Sequence, residues 1–226
     1  LKAEKTQRRV AIQNRVVVNR AFMFEKLNKV IQNQILNFEI SNDRKIILQP
    51  LIDYIQQKIV SKEDINLNFI CTHNSRRSHL AQIWAKTAAS YYTIKNVQSY
   101  SGGTKVTALF PKIIETLNNQ GFEISIISET SNPVYAIKYD ENTIPIIGFS
   151  KRYDHPFNPV SQFAAIMTCS QVENDFPLIF GSEKSFSLNY EDPKISDGTD
   201  IQSQVYETRS LEIAREIFYI FDKIKA

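Results

Sequence analysis

The feature that most constrains this chain is a change of period at residue 65. Ile65, Leu67, Phe69 and Cys71 alternate along the sequence, which is the spacing of a β-strand. A polar stretch, 72–77, follows, and then Leu80, Ile83, Trp84 and Ala88 recur at helical intervals. A strand thus delivers a cysteine into a short loop that opens directly into a helix. The alternation continues downstream. Val97–Ser101 reads as a second strand ending in Gly102-Gly103, and 107–120 as a helix stopped by Gly121. Val134–Tyr139 and Thr143–Ser150 read as a β-hairpin around 140–142. Phe163–Cys169 reads as a buried strand, with a further strand between Leu178 and Leu188. The last helix is expected over 202–223, with Val205, Ile213, Ile217, Ile220 and Phe221 facing inward. Strands alternating with helices predict an α/β fold, a small parallel sheet of about four strands flanked by helices on both faces.

Upstream, Leu27, Val30, Ile31, Ile35 and Phe38 repeat at helical spacing. Ser41 is placed to cap a second helix whose buried stripe would carry Ile46, Ile47, Leu51, Ile52, Ile55 and Ile59, with a break or kink at Pro50. Residues 1–22 hold six Lys or Arg against the single Glu4 but no apolar core of a secretory signal. They read as a frayed basic extension. The expected organisation is an extension over 1–21, a helical segment over 22–64 and a catalytic domain over 65–226.

Composition narrows the function. A net charge of +3 is too small to argue for nucleic acid or an anionic membrane as partner. No apolar stretch approaches the roughly 18 residues of a membrane span, so a soluble, cytoplasmic protein is expected. Two cysteines, Cys71 and Cys169, are too few for a disulfide scaffold and fit a reducing compartment. His73, His79 and His155 lack metal-ligand spacing, and neither a metal nor another cofactor is expected.

Cys71 and Arg77 stand six positions apart across Thr72, His73, Asn74, Ser75 and Arg76. Five intervening residues can curl so that successive N–H groups point inward, a concave nest for a tetrahedral oxyanion. A helix starting near Arg77 adds its N-terminal partial charge, and the arginine fork can hold two anion oxygens. The same positive field favours the thiolate of a cysteine placed there. The spacing alone is weak; its setting between an apolar strand and an amphipathic helix gives it weight.

The segment Cys71-x-x-Asn74-x-x-Arg77-Ser78 resembles the active-site loop of the low-molecular-weight protein tyrosine phosphatases and the related thioredoxin-coupled arsenate reductases. Ser101-Gly-Gly-Thr104 is similar to that family's Ser-Ala-Gly-Thr strand end, and Asp192-Pro193 to its acid-bearing Asp-Pro pair. The resemblance runs over most of 65–226. It implies that fold, with the 134–150 hairpin and the N-terminal helices as additions. It also implies that Asn74 shapes the loop with support from Ser101, that Ser78 bonds the Cys71 sulfur, and that Asp192 is the general acid and base. Asp197 and Asp200 are the alternative donors.

Two branches of chemistry stay open. The family's phosphatases place aromatics after the Asp-Pro pair, where this chain has Lys194-Ile195; Tyr190, just before the pair, is a candidate ring for the substrate pocket. The reductases relay electrons through three cysteines, of which Cys71 and Cys169 match two, while Phe176 stands at the third position. The expectation is a phosphomonoester hydrolase acting on a phosphorylated, phosphotyrosine-like substrate. The alternatives are an arsenate reductase that takes a small oxyanion and a thiol reductant, with Cys169 as redox partner of Cys71, and a non-catalytic oxyanion-binding module in which 22–61 docks a partner.

Overall fold

The computed structural model describes residues 23–175 and 178–225; the basic stretch 1–21, Phe176 and Pro177 lie outside them. Helix α1 spans Glu25–Val30 and continues as a π-helical turn, Ile31–Ile35, with Leu27, Ile31 and Ile35 buried on one side. Phe38, expected on that stripe, lies past the turn and is 54% exposed, its ring under the Arg215 guanidinium. Helix α2 spans Asn42–Ser61, and the Ser41 hydroxyl accepts the Arg44 N–H at 3.3 Å, satisfying one of the first-turn donors.

The helix runs unbroken through Pro50, so the break allowed for there does not occur. Proline removes one intrahelical donor, but Pro50 and the Ile46 turn behind it lie on the solvent side, where water can serve the freed carbonyl. The buried stripe is Leu48, Leu51, Ile52, Tyr54 and Ile55; Ile46 and Ile47 face out.

Next come β1 (Ile65–Cys71), α3 (Arg77–Tyr91), β2 (Val97–Gly103) and α4 (Pro111–Asn119). Gly121 ends the last of these at φ +98°. Then follow β3 (Glu123–Ser128), β4 (Val134–Lys138), β5 (Ile146–Gly148), β6 (Phe163–Met167), α5 (Ser170–Asp175) and β7 (Ser182–Ser187). A 3₁₀ turn, Pro193–Ser196, precedes the final helix α6, Gln202–Asp222. Four strands form a wholly parallel sheet in the order β2-β1-β6-β7. The hairpin gains a third, unforeseen strand, giving an antiparallel β3-β4-β5 sheet. Strand β3 is mostly exposed, so it lacks the buried face that makes a strand legible.

The central strand β1 is buried on both faces. Ile65, Leu67 and Phe69 enter the main core with α1, α2, α3 and α6. Ile70 and Cys71 join a smaller cluster with Phe163, Ala165, Met167, Cys169 and Val172, closed by α5. Trp84 fixes α3 against α6: it is fully buried, donates to the Ser210 hydroxyl at 3.0 Å and meets Phe122 and Phe218 edge-on. The N-terminal helices share that core, and Arg44 of α2 forms a bidentate pair with Glu216 of α6 at 2.5 and 2.8 Å. Val205 of α6, expected to face inward, is only half-buried.

Candidate active site

Residues 71–78 run from the carboxyl end of β1 into the first turn of α3. Asn74 takes φ +45°, a left-handed conformation that Asn tolerates better than most residues. Its carboxamide is fully buried, accepting the Lys151 N–H at 2.9 Å and donating to the Ser78 hydroxyl at 2.9 Å. Because the Ser78 oxygen accepts from Asn74, its proton is free to point at the Cys71 Sγ, 3.1 Å away.

The loop carbonyls are taken from outside. Thr72 O accepts from Lys105 N, His73 O from the Thr107 and Ser150 hydroxyls, and Ser75 O from Phe110 N, all at 2.8–3.1 Å. The N–H groups of His73, Asn74, Ser75 and Arg76 donate to no protein acceptor among the described residues. Carbonyls turned out and amides uncommitted make a nest for an anion, next to the positive end of α3. Gly103 is needed behind it: a Cβ there would lie 2.8 Å from Asn74 N and 2.9 Å from Thr72 O.

Ser101 makes no direct hydrogen bond to Asn74. It pairs with Phe69 in the sheet, two residues short of Cys71, and its hydroxyl meets His79 Nδ1 at 3.2 Å. The support comes instead from Lys151, which sequence reading missed. Its ammonium is buried 4.5 Å from the Phe149 ring centre and 5.5 Å from that of Phe157, and burial pulls its pKa down to about 7. Burial, with the Lys151 charge adding to it, also holds His79 well below the usual histidine range. At the mouth, partial burial and then Lys105 and Lys194 lower the pKa of His73, with Asp192 opposing.

Arg77 reaches across the loop to the 190–197 segment. Its Nη1 donates to Tyr190 O at 2.8 Å and its Nη2 to Asp192 Oδ2 at 2.6 Å, while its buried Nε has no partner among the described residues. Asp192 is half-buried and also caps the 3₁₀ turn through Lys194 N. Asp192, Lys194, Ile195 and Glu191 line an open recess of about 620 Å³, with Ile195 90% exposed at its rim. Tyr190, expected as a pocket ring, is buried elsewhere: its hydroxyl donates to Glu216 at 2.8 Å and its ring lies beneath Arg44.

Arg76 points away from the loop and pairs with Asp197 at 2.6 Å, so Asp197 is committed to that ion pair rather than placed as an alternative acid. Asp200 is exposed in the turn before α6. Cys169 follows β6, whose Met167 pairs with Ile70, and so reaches the loop; its Sγ lies 3.6 Å from the Thr72 hydroxyl. Both cysteines are free and buried. Among the described residues no cluster of three or more His, Cys, Asp or Glu is arranged to hold a metal, and no helix is long and apolar enough to cross a membrane.

No protein-family model matches the chain. It is similar to arsenate reductase of Staphylococcus epidermidis (strain ATCC 12228), 30% identical over 125 residues that cover 55% of this chain and 76% of the relative. Arsenate reductase 2 of Staphylococcus haemolyticus (strain JCSC1435) is 29% identical over 126 residues, with the same shares covered. The chain belongs to the low-molecular-weight protein tyrosine phosphatase and arsenate reductase superfamily. This is a family of cysteine-dependent enzymes acting on phosphorylated or oxyanion substrates. Among solved structures, a low-molecular-weight protein tyrosine phosphatase from Bacillus subtilis is 17% identical with a TM-score of 0.48, covering 70% of this chain and 96% of its own. An arsenate reductase in the reduced state is 19% identical with a TM-score of 0.45, covering 71% of this chain and 99% of its own.

Proposed function

We propose that this superfamily member hydrolyses phosphomonoesters through a cysteinyl-phosphate intermediate. The Cys71 thiolate attacks phosphorus while the loop amides and Arg77 hold the non-bridging oxygens. The bond to the leaving oxygen breaks as Asp192 gives that oxygen its proton. Water then attacks the phospho-cysteine, Asp192 takes its proton, the S–P bond breaks, and phosphate and thiolate are released. Preorganised positive charge does most of the stabilising, and Ser78 steadies the departing sulfur.

The observation that carries this reading is the convergence of three things on one loop. The Cys71 sulfur lies under the Ser78 hydroxyl, four loop amides are uncommitted, and a carboxyl group, Asp192, is held beside the loop by Arg77. The recess rim offers Lys194 and Ile195 in place of a phenol-stacking ring, which favours phosphoesters that need no aromatic pocket. A reducing, cytoplasmic setting suits the reactive thiolate.

A second reading, arsenate reduction, is favoured by Cys169 beside the loop and by the arsenate reductases among the relatives. There Cys71 would attack arsenate and displace one hydroxyl as water; Cys169 would then attack the Cys71 sulfur, the S–As bond pair leaving with arsenic as arsenite, and two external thiols would reduce the resulting Cys71–Cys169 disulfide. The experiment is a steady-state comparison of wild type and Cys71→Ser on aryl phosphates and on arsenate with a thiol. Phosphate release lost in Cys71→Ser supports the hydrolase. Arsenate-dependent thiol consumption without phosphate release rejects it in favour of the reductase. Neither activity under reducing conditions would leave an oxyanion-binding module docking a partner through 22–61.

A further inference from the structure

We infer that Arg76 and Asp197 are positioning residues that latch the Asp192 loop onto the site while Arg77 changes partners; this rests on the hydrolase reading. The two adjacent arginines diverge and grip opposite ends of one short segment. Arg77 holds the near end, through Tyr190 O and Asp192. Arg76 holds the far end: Nη2 donates to Asp197 Oδ2 at 2.6 Å and Nε to the Tyr206 hydroxyl at 2.6 Å. That hydroxyl donates in turn to Asp197 Oδ1 at 2.5 Å, and Gln202 Nε2 donates to the same oxygen at 3.1 Å. The Arg76 guanidinium lies 4.1 Å from the Phe110 ring centre, and Phe110 N–H is bonded to Ser75 O, so this grip is built into the anion loop itself. Only the single 3₁₀ turn Pro193–Ser196 separates the two anchored ends.

The reaction makes unequal demands on the two grips. A phosphodianion needs the Arg77 fork, whose Nη2 here serves Asp192. A protonated Asp192, required for the first step, is also no longer an ionic partner for Arg77. The near grip therefore loosens as substrate binds. Arg76 has no such conflict: its side chain is partly buried, stacked and committed to Asp197 and Tyr206, away from the anion nest. It keeps the turn, and with it Asp192, over the leaving oxygen.

The test compares wild type, Asp197→Asn, Arg76→Lys and Asp192→Asn on phenyl phosphate, a poor leaving group, and p-nitrophenyl phosphate, a good one. Proton donation matters most for the poor leaving group. Asp197→Asn, which keeps its size and its acceptor for Tyr206, should lose about tenfold in kcat/KM, which reports the first transfer alone, on phenyl phosphate and less than about threefold on p-nitrophenyl phosphate. Arg76→Lys should follow it, and Asp192→Asn should show the steepest leaving-group dependence. Amide exchange over 194–196 should quicken in Asp197→Asn. An equal fall in kcat/KM on both substrates, or none, with wild type active, overturns the latch alone. A wild type that releases no phosphate from either aryl substrate or from the non-aromatic glycerol 2-phosphate overturns the hydrolase reading and the latch with it.

Discussion

The two loops that face each other across the candidate site are held in opposite ways. The 71–78 loop is locked from behind by neutral hydrogen bonds among fully buried groups: Asn74 to Ser78 and to the Lys151 N–H, with Gly103 packed against its backbone. The 190–197 loop is held by ion pairs to Arg76 and Arg77, and its key carboxylate is half-exposed. Breaking a buried bond strands a polar group at its full desolvation cost, whereas a partly exposed ion pair can exchange with water. The difference teaches that the surroundings of the proposed nucleophile are fixed and those of the proposed proton donor adjustable, as a group that must change partners requires.

Four substitutions break or sharpen that contrast. Cys71→Ser should leave fold and anion binding intact and cut turnover by about 10⁴-fold or more, read from phosphate release. Asn74→Ala strands two buried partners and puts a less tolerant residue at φ +45°; a loss of about 2–4 kcal/mol in denaturant unfolding is expected. Should Asn74→Ala prove neutral, the rigid half of the comparison fails. Asp192→Asn should show the reverse profile, about 100-fold lower kcat with less than about 1 kcal/mol of stability change, because its ion pair is partly exposed.

The smallest effect concerns Lys151, on the rigid side. Burial depresses its folded pKa to about 7, so above that pH the unfolded chain binds more protons than the folded one. Its penalty is therefore full below pH 7 and is relieved as pH rises toward the ordinary lysine range. Unfolding free energy should gain about 1 kcal/mol from pH 7 to 8 through this one group. Lys151→Met, which keeps the backbone bond to Asn74, should flatten that rise in paired pH-dependent melts.

The parallel sheet, the helices and the positions of Cys71 and Arg77 are legible in the sequence because they rest on period and short spacing, whereas Asp192 is singled out only through the resemblance of Asp192-Pro193 to the family's pair. Alternation at 65–71 followed by helical spacing from 80 places the loop without any tertiary information. Strand β3 and helix α5 escaped notice because one is mostly exposed and the other is a short helix of six residues. Which partner holds each loop residue is another matter. Asn74 finds its amide donor 77 residues away at Lys151, and Arg76 its carboxylate 121 residues away at Asp197. Tyr190 turns from the expected pocket to Glu216, and Ser101 from Asn74 to His79. The sequence by itself determined the chemistry that Cys71 and its loop can attempt, since curling five residues into a nest is a local property of the backbone. Only the tertiary structure decided which partners fix the loop and which hold the Asp192 segment, because those contacts exist only once distant strands and helices have packed.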